Sequence, residues 1–233
     1  MSQTNHLKNE SEVNEMFTRV APHYDRLNNV ISLGTQKAWR KKLFAGLEFR
    51  PNISALDICC GTGDLTISLA QRMPQGKVIG LDFNEAMLEI AKKKAHGISN
   101  LSLVQGDAMA LPFPDNSFDI VTIGFGLRNV PDADKALAEI YRVLKPNGQL
   151  GILEMSQPEN AIVKVGWNAY FKLFPYVARL AGGKVQDYQY LQKTSQQFVS
   201  AKKLVAMMKN AGFHQVNYVP LNFGAGAVHF GIK

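Results

Sequence analysis

A glycine-rich turn, Asp57-Ile58-Cys59-Cys60-Gly61-Thr62-Gly63, follows a short apolar run and precedes a helical pattern. Such a turn sets backbone amides and a helix N-terminus beside a ligand, and its glycines let the ligand approach the main chain. Asp82 closes the next apolar run, 21 residues beyond Gly61. A carboxylate there can accept hydrogen bonds from two ribose hydroxyls. Gly106-Asp107-Ala108 follows a third run, where it can meet an adenine edge. Together these features predict a nucleotide-like cofactor. The dinucleotide fingerprint GxGxxG is incomplete, because Thr66 stands where its third glycine belongs. Cys59 and Cys60 read as small buried thiols, since no basic pair adjoins them to activate a nucleophile.

The elements that must hold these residues alternate. Val13, Met16, Phe17 and Val20 mark one helical face, and Pro22 interrupts it. A second helix is predicted from about Thr35 to Leu47. Strands are predicted at Ile53–Ile58, Lys77–Leu81, Leu101–Gln105, Phe118–Ile123 and Gln149–Leu153. Between them fall helices at Leu65–Met73, at Asn84 to about Ala95 with Asn84 as cap, and from Asp132 to about Leu144. Five alternations imply a mainly parallel sheet with helices on both faces. Residues 158–199 break the rhythm with an aromatic segment (Trp167, Tyr170, Phe171, Phe174, Tyr176, Tyr188, Tyr190). A helix over Ala201–Ala211 and an antiparallel hairpin of Phe213–Pro220 with Ala225–Ile232 close the chain. The expected organisation is one domain: a helical lid (1–50), a cofactor core (51–157), the aromatic insertion (158–199) and a C-terminal helix and hairpin (200–233).

At 233 residues, with 46% apolar and 19% charged side chains, the composition is that of an ordinary globular domain. The formal charge of +7 permits attraction to an anionic surface or cofactor without selecting one. The runs Arg40-Lys41-Lys42 and Lys92-Lys93-Lys94 read as solvated helix faces. Two adjacent cysteines make neither a disulfide framework nor a four-cysteine zinc site, which fits a reducing compartment. The five histidines show no metal-ligand spacing, so no metal is expected. No apolar run approaches the roughly 20 residues that span a bilayer, so any membrane contact is expected to be peripheral. Neither a basic-aromatic stripe nor an RNA-binding appendage is evident, and no nucleic-acid partner is expected.

From about Val13 to Lys233 the chain resembles the quinone-biosynthesis C-methyltransferases. The resemblance is carried by Tyr24-Asp25-Arg26-Leu27-Asn28-Asn29-Val30-Ile31-Ser32 running on to Trp39, by the cofactor turn and Gly80-Leu81-Asp82-Phe83, and by the block from Leu111 to Asp119 leading into Gly124-Phe125-Gly126-Leu127-Arg128-Asn129-Val130. Arg142-Val143-Leu144-Lys145-Pro146-Asn147-Gly148 and Glu154-Met155-Ser156 complete it. The resemblance implies a class I methyltransferase, Rossmann-like α/β fold: a mainly parallel seven-stranded sheet with its last strand antiparallel. It implies S-adenosyl-L-methionine as cofactor, with contacts on Thr62, Asp82, Asp107 and Ala108, beside Gly61 and Gly63 of the turn. Gly124 stands where a serine is usual, Gln36 where many relatives carry histidine, Asn147 where a glycine is usual and Lys193 where several carry glutamate.

The implied reaction is carbon methylation of demethylmenaquinol to menaquinol. Leu27 to Thr35 looks like the motif of Gram-positive members, which favours the naphthoquinol. Methylation of the benzoquinol precursor of ubiquinone as well, or O- or N-methylation of another small molecule, remain alternatives, as does a non-catalytic cofactor-binding protein. The resemblance further implies an acceptor with a long isoprenoid tail, met at the cytoplasmic face of the membrane, and a homodimer is left open. A quinol needs a basic or hydrogen-bonding group beside its phenol. The candidates are Tyr24, Arg128, Asn129 and His229, with His23, Asp25 and Glu154 behind them. A salt bridge is the competing reading for Arg128, a satisfied strand histidine for His229 and a helix cap for Asp25.

Overall fold

Strands buried on both faces must be apolar almost throughout, and such strands pair in parallel under a cover of helices. The computed structural model describes residues 10–31, 34–158, 160, 163–167, 169 and 194–233. Its strands are β1 (Ser54–Ile58), β2 (Lys77–Asp82), β3 (Leu101–Gln105), β4 (Phe118–Gly124), β5 (Leu144–Met155), β6 (His214–Leu221) and β7 (Gly226–Ile232). They form one sheet in the order β3-β2-β1-β4-β5-β7-β6. β1 to β5 pair in parallel, and β7 runs antiparallel to β5 and β6. This is the class I methyltransferase fold that the sequence led us to expect, with the closing hairpin in place.

Among the described residues the helices with assigned bounds are α1 (Glu10–Val20), α2 (Tyr24–Ile31), α3 (Gln36–Ala45), α4 (Asp64–Arg72), α5 (Glu85–Lys94), α6 (Ala133–Val143) and α7 (Ala201–Asn210), and residues 163–167 and 194–197 are helical as well. Strand side chains alternate between faces. Ala55 and Ile120 therefore pack with Leu43 of α3 and Leu69 of α4, whereas Leu56 and Val121 pack with Leu137 of α6 and Leu204 of α7. A third, smaller cluster of Met16, Val20, Ala21 and Met87 seats the N-terminal helices on α5. Asn84, Asp132 and Ser200 cap α5, α6 and α7 by accepting the N–H groups of Met87, Lys135 and Lys203.

Local details refine the sequence reading. Pro22 does interrupt the first helix, but it lies in a 3-10 turn (Ala21–His23) that leads straight into α2. Proline suits a helix start because its missing N–H would be unpaired there anyway. β5 starts earlier than expected: Leu144 already pairs with Phe118, and the register shifts before Gln149 meets Ile120. Within that bulge Asn147 takes the left-handed conformation its glycine-like position requires (φ 62°). In the aromatic insertion Trp167 is buried. Tyr170, Phe171, Phe174, Tyr176, Tyr188 and Tyr190, with Lys193, lie outside the described residues.

Candidate active site

From β1 the chain winds outward to β3 and then returns to β4 on the other side. A crevice opens at such a reversal, beyond the carboxyl ends of the two strands. Two strained loops meet there. Cys59 after β1 (φ 54°) and Phe125 after β4 (φ 57°) are both left-handed without being glycine. Gly126 lets them touch, for a Cβ there would lie 2.3 Å from Cys59 Cβ.

Gly61 turns the chain at φ 55° and donates its N–H to Asp82 Oδ2 at 2.8 Å. Asn84 N–H donates to Asp82 Oδ1, also at 2.8 Å. A carboxylate offers about four acceptor sites, so Asp82 retains capacity for hydroxyl donors. Its carboxyl is held above the ordinary range because burial outweighs these amide bonds. After β3, Asp107 Oδ1 accepts from Met109 N–H at 2.8 Å. Asp82, Asp107 and Ala108 line one cleft, with Phe83, Met87 and Met109 as apolar walls. The cleft encloses about 830 Å³, the solvent at its open mouth included.

Phe17 of α1 and Tyr24 of α2 form the facing wall, and Asn129 with Val130 closes one end. Burial raises the Tyr24 phenol above its ordinary value although the Arg128 charge works against this, so it is a neutral donor at physiological pH. Asn129 Nδ2 donates to Phe125 O at 3.3 Å, while its buried Oδ1 has no hydrogen-bond partner among the described residues. Arg128 lines neither this cleft nor the adjoining chamber. It donates to Glu154 Oε1 at 2.5 Å and to Phe125 O at 2.7 Å, and Glu154 also accepts the Arg128 N–H. Both members of this pair are buried, so it fixes the loop after β4.

A second chamber, about 460 Å³, shares Tyr24, Cys59, Gly61 and Phe125 with the cleft and adds Asn28, Gln36, Arg40 and Thr62. Thr62 Oγ1 donates to Asp25 Oδ1 at 2.5 Å. Lys94 Nζ donates to Asp25 Oδ2 at 2.7 Å, to Thr62 Oγ1 at 3.2 Å and to Asp64 Oδ1. Arg40 closes the network on Asp64 Oδ2 at 3.0 Å.

Of the residues singled out from sequence, Tyr24, Gly61, Asp82, Asp107, Ala108 and Asn129 thus meet on one cleft. Thr62 faces the adjoining chamber. Gly63 (φ 83°) caps α4 behind the turn, where a Cβ would lie 3.1 Å from Ala91 Cβ. His23 is exposed in the 3-10 turn. His229 is not brought to the cleft. It is buried on β7 with Nε2 3.1 Å from Ala201 O and its ring stacked on Tyr218, and burial lowers its imidazole to about 4, so it is a neutral core histidine. Asp25 is an ion-pair and hydrogen-bond partner, not a cap. Arg40 and Lys94 depart from the solvated faces assigned to their runs, because each turns inward to Asp64. Both cysteine thiols are pushed well above their ordinary values by burial and by the neighbouring Asp82 and Asp57 carboxylates, so neither is a thiolate nucleophile. Asn14, Phe83, Lys94 and Arg40 were missed; only their polar, charged or apolar character was visible, and none of these reveals direction.

The ubiE/COQ5 methyltransferase family model matches residues 4–233. The chain belongs to that family. A demethylmenaquinone methyltransferase of Lactobacillus johnsonii is 59% identical over 237 residues, spanning 100% of this chain and 97% of the relative. One of Staphylococcus carnosus is 44% identical, over 97% and 96%. Among solved structures, an S-adenosylmethionine-dependent methyltransferase from Thermotoga maritima superposes with a TM-score of 0.69 at 22% identity, covering 95% of this chain and 99% of that one. The [4+2]-cyclase SpnF superposes at 0.65 with 20% identity, covering 97% and 96%, so the fold by itself does not specify methyl transfer. This member of the ubiE/COQ5 family is an S-adenosylmethionine-dependent methyltransferase. The site suits that cofactor: a carboxylate with spare acceptor sites, a left-handed glycine turn and apolar walls share one cleft.

Proposed function

We propose that this chain methylates a ring carbon of demethylmenaquinol to give menaquinol, the last step of menaquinone synthesis. The observation that carries the reading is full-length similarity, at 59% identity, to a relative named for that activity. S-adenosylmethionine, when bound, supplies a methyl already activated on sulfur. Asp82 would accept its ribose hydroxyls, Asp107 and Ala108 would meet its adenine edge, and Gly61, Thr62 and Gly63 would border it through their main chain.

On the acceptor side, Asn129 Oδ1 accepts a hydrogen bond from the phenolic O–H of the quinol, whose proton passes to solvent water at the open mouth of the cleft. The Tyr24 phenol donates to the oxygen on which charge develops. Arg128 stabilises that charge from behind the loop, where Glu154 holds it. Electron density then rises on the ring carbon ortho to the oxygen. After methylation the ring regains aromaticity as its C–H proton moves, through water, to the ring oxygen that had lost one. Only the reduced quinol offers this nucleophile. The acceptor's isoprenoid tail would keep it at the cytoplasmic membrane surface, where the protein would act peripherally. No helix of the described residues is long and apolar enough to cross a membrane.

The test is methyl transfer from labelled S-adenosylmethionine to reduced demethylmenaquinone, to its oxidised form and to a demethylated benzoquinol precursor, each in detergent micelles. Product from the naphthoquinol alone is expected. Product from both quinols would widen the reading to a dual pathway. Failure with every reduced quinol, while the cofactor binds, would overturn it.

A further inference from the structure

The N-terminal helices form one wall of the cleft, yet they sit apart from the two main cores. Their own cluster has four buried residues, against 20 and 14 in the others. Such a small unit opens at lower free energy than the sheet it covers. Two polar fastenings supplement it. Asn84 Nδ2 donates to Asn14 O at 3.0 Å, Asn14 Oδ1 at 2.6 Å and Thr18 Oγ1 at 2.8 Å, which pins α1. Asp25 is gripped by Thr62 and Lys94, which ties α2 to the glycine turn and the end of α5.

Asp82 links the two fastenings. Its carboxylate holds the N–H of Gly61, next to Thr62, and the N–H of Asn84. A ligand engaging Asp82 therefore sits between the points at which the lid is attached. We propose that Asp25 and Lys94 are positioning residues, a charge clasp that closes α1 and α2 over the cleft and couples lid closure to cofactor capture through Thr62.

The chemistry suits a fastening that opens. Lys94 keeps 27% of its side-chain exposure, Asp25 42% and Asp64 41%, so water competes for each charge. Lys94 bridges two carboxylates on different elements, Asp25 of the lid and Asp64 of α4, and releasing Asp25 leaves Lys94 still paired. Opening the lid thus strands no cation, and Arg40 keeps Asp64 in place meanwhile. Closing the lid also seats Tyr24, the residue after which the clasp stands, against Gly61; a Cβ on Gly61 would lie 3.7 Å from Tyr24 Cε1.

The proposal does not depend on which acceptor is methylated, so its test uses cofactor alone. S-adenosylmethionine affinity by calorimetry and hydrogen exchange of residues 10–31 are compared in the full chain and in D25N, K94M, K94R and the swap D25K/K94D. Where the closed lid is the binding-competent state, loss of the clasp raises the apparent Kd in proportion, here about tenfold. D25N and K94M are expected to show that weakening, with faster exchange across 10–31, lost protection on cofactor addition and an unchanged Tm. K94R is expected to regain most of the affinity, whereas the swap, which sets two carboxylates together at position 94 and Asp64 and removes the acceptor of Thr62, is not. Unaltered exchange in 10–31, or weaker binding that follows a lowered Tm or escapes rescue by K94R, overturns the clasp.

Discussion

Asp57 shows how much one buried carboxyl can impose on this protein. It receives the hydroxyls of Thr66 at 2.6 Å and Thr122 at 2.7 Å but no cation, and burial raises its pKa from 3.8 to about 7. The native state therefore keeps a proton that the unfolded chain gives up. That contribution is whole below the unfolded value and is lost as pH climbs toward about 7. At about 1.36 kcal/mol for each pKa unit the loss is on the order of 4 kcal/mol. D57N carries no such titration, so its stability relative to wild type should improve by a few kcal/mol between pH 4.5 and 8. Urea unfolding at several pH values measures this, and a constant difference would refute it. Arg128 poses a different problem. Removing its charge leaves Glu154 buried with backbone N–H groups but no counter-charge, a loss of roughly 3–5 kcal/mol that would mask any catalytic effect. R128K keeps the charge but sets it on a shorter stem as a compact ammonium, which shifts the one Arg128 nitrogen that serves both Glu154 and Phe125. It should bind S-adenosylmethionine within about threefold of wild type while single-turnover methyl transfer falls roughly 10²-fold. Equal losses in both would assign Arg128 to fold maintenance alone.

Elements meet the same constraint wherever two loops share one space. The clash expected at Gly126 is with Cys59, itself left-handed at φ 54°. G126A should cost about 1–3 kcal/mol and displace the turn carrying Asn129. C59G removes the obstructing Cβ and suits the left-handed backbone, so C59G/G126A should regain stability beyond the sum of the single effects. Thermal unfolding of the four proteins reads this directly; additive losses would mean that the loops adjust independently. The Cys59–Gly126 contact was invisible in the sequence, since the two residues are brought together only by the pairing of β1 with β4. The strands themselves were legible, because apolar runs ending in Asp82 or in the glycine turn have few other readings. The cleft was legible where the chain's chemistry is local: Gly61, Asp82, Asp107. It was not legible at Lys94, which looked like Lys92, its neighbour in one charge run. Lys92 pairs with Glu89 in solvent, while Lys94, two positions further round the helix, points to the lid. Nor could strand periodicity tell that His229, correctly expected inside, faces Ala201 and not the cleft.

For the molecule as a whole, the net charge of +7 becomes a kinetic quantity if the acceptor resides in a bilayer. On the proposed function, a prenylated quinol would be met at the membrane surface. A basic side chain near an anionic leaflet gains about 1 kcal/mol, and the attraction fades beyond a Debye length of roughly 8 Å at physiological salt. On that reading, long-range charge would concentrate the protein on anionic vesicles without touching the chemistry in the cleft. For demethylmenaquinol in vesicles, the apparent KM should fall as the anionic lipid fraction rises and should climb again with added salt. The kcat should stay nearly constant, because lid, cleft and Arg128 are the same in both states. A short-tailed quinol that partitions into water supplies the contrast: its KM should ignore lipid charge. Should the long-tailed substrate behave identically, the basic surface has no part in reaching the acceptor, and its charge serves solubility alone.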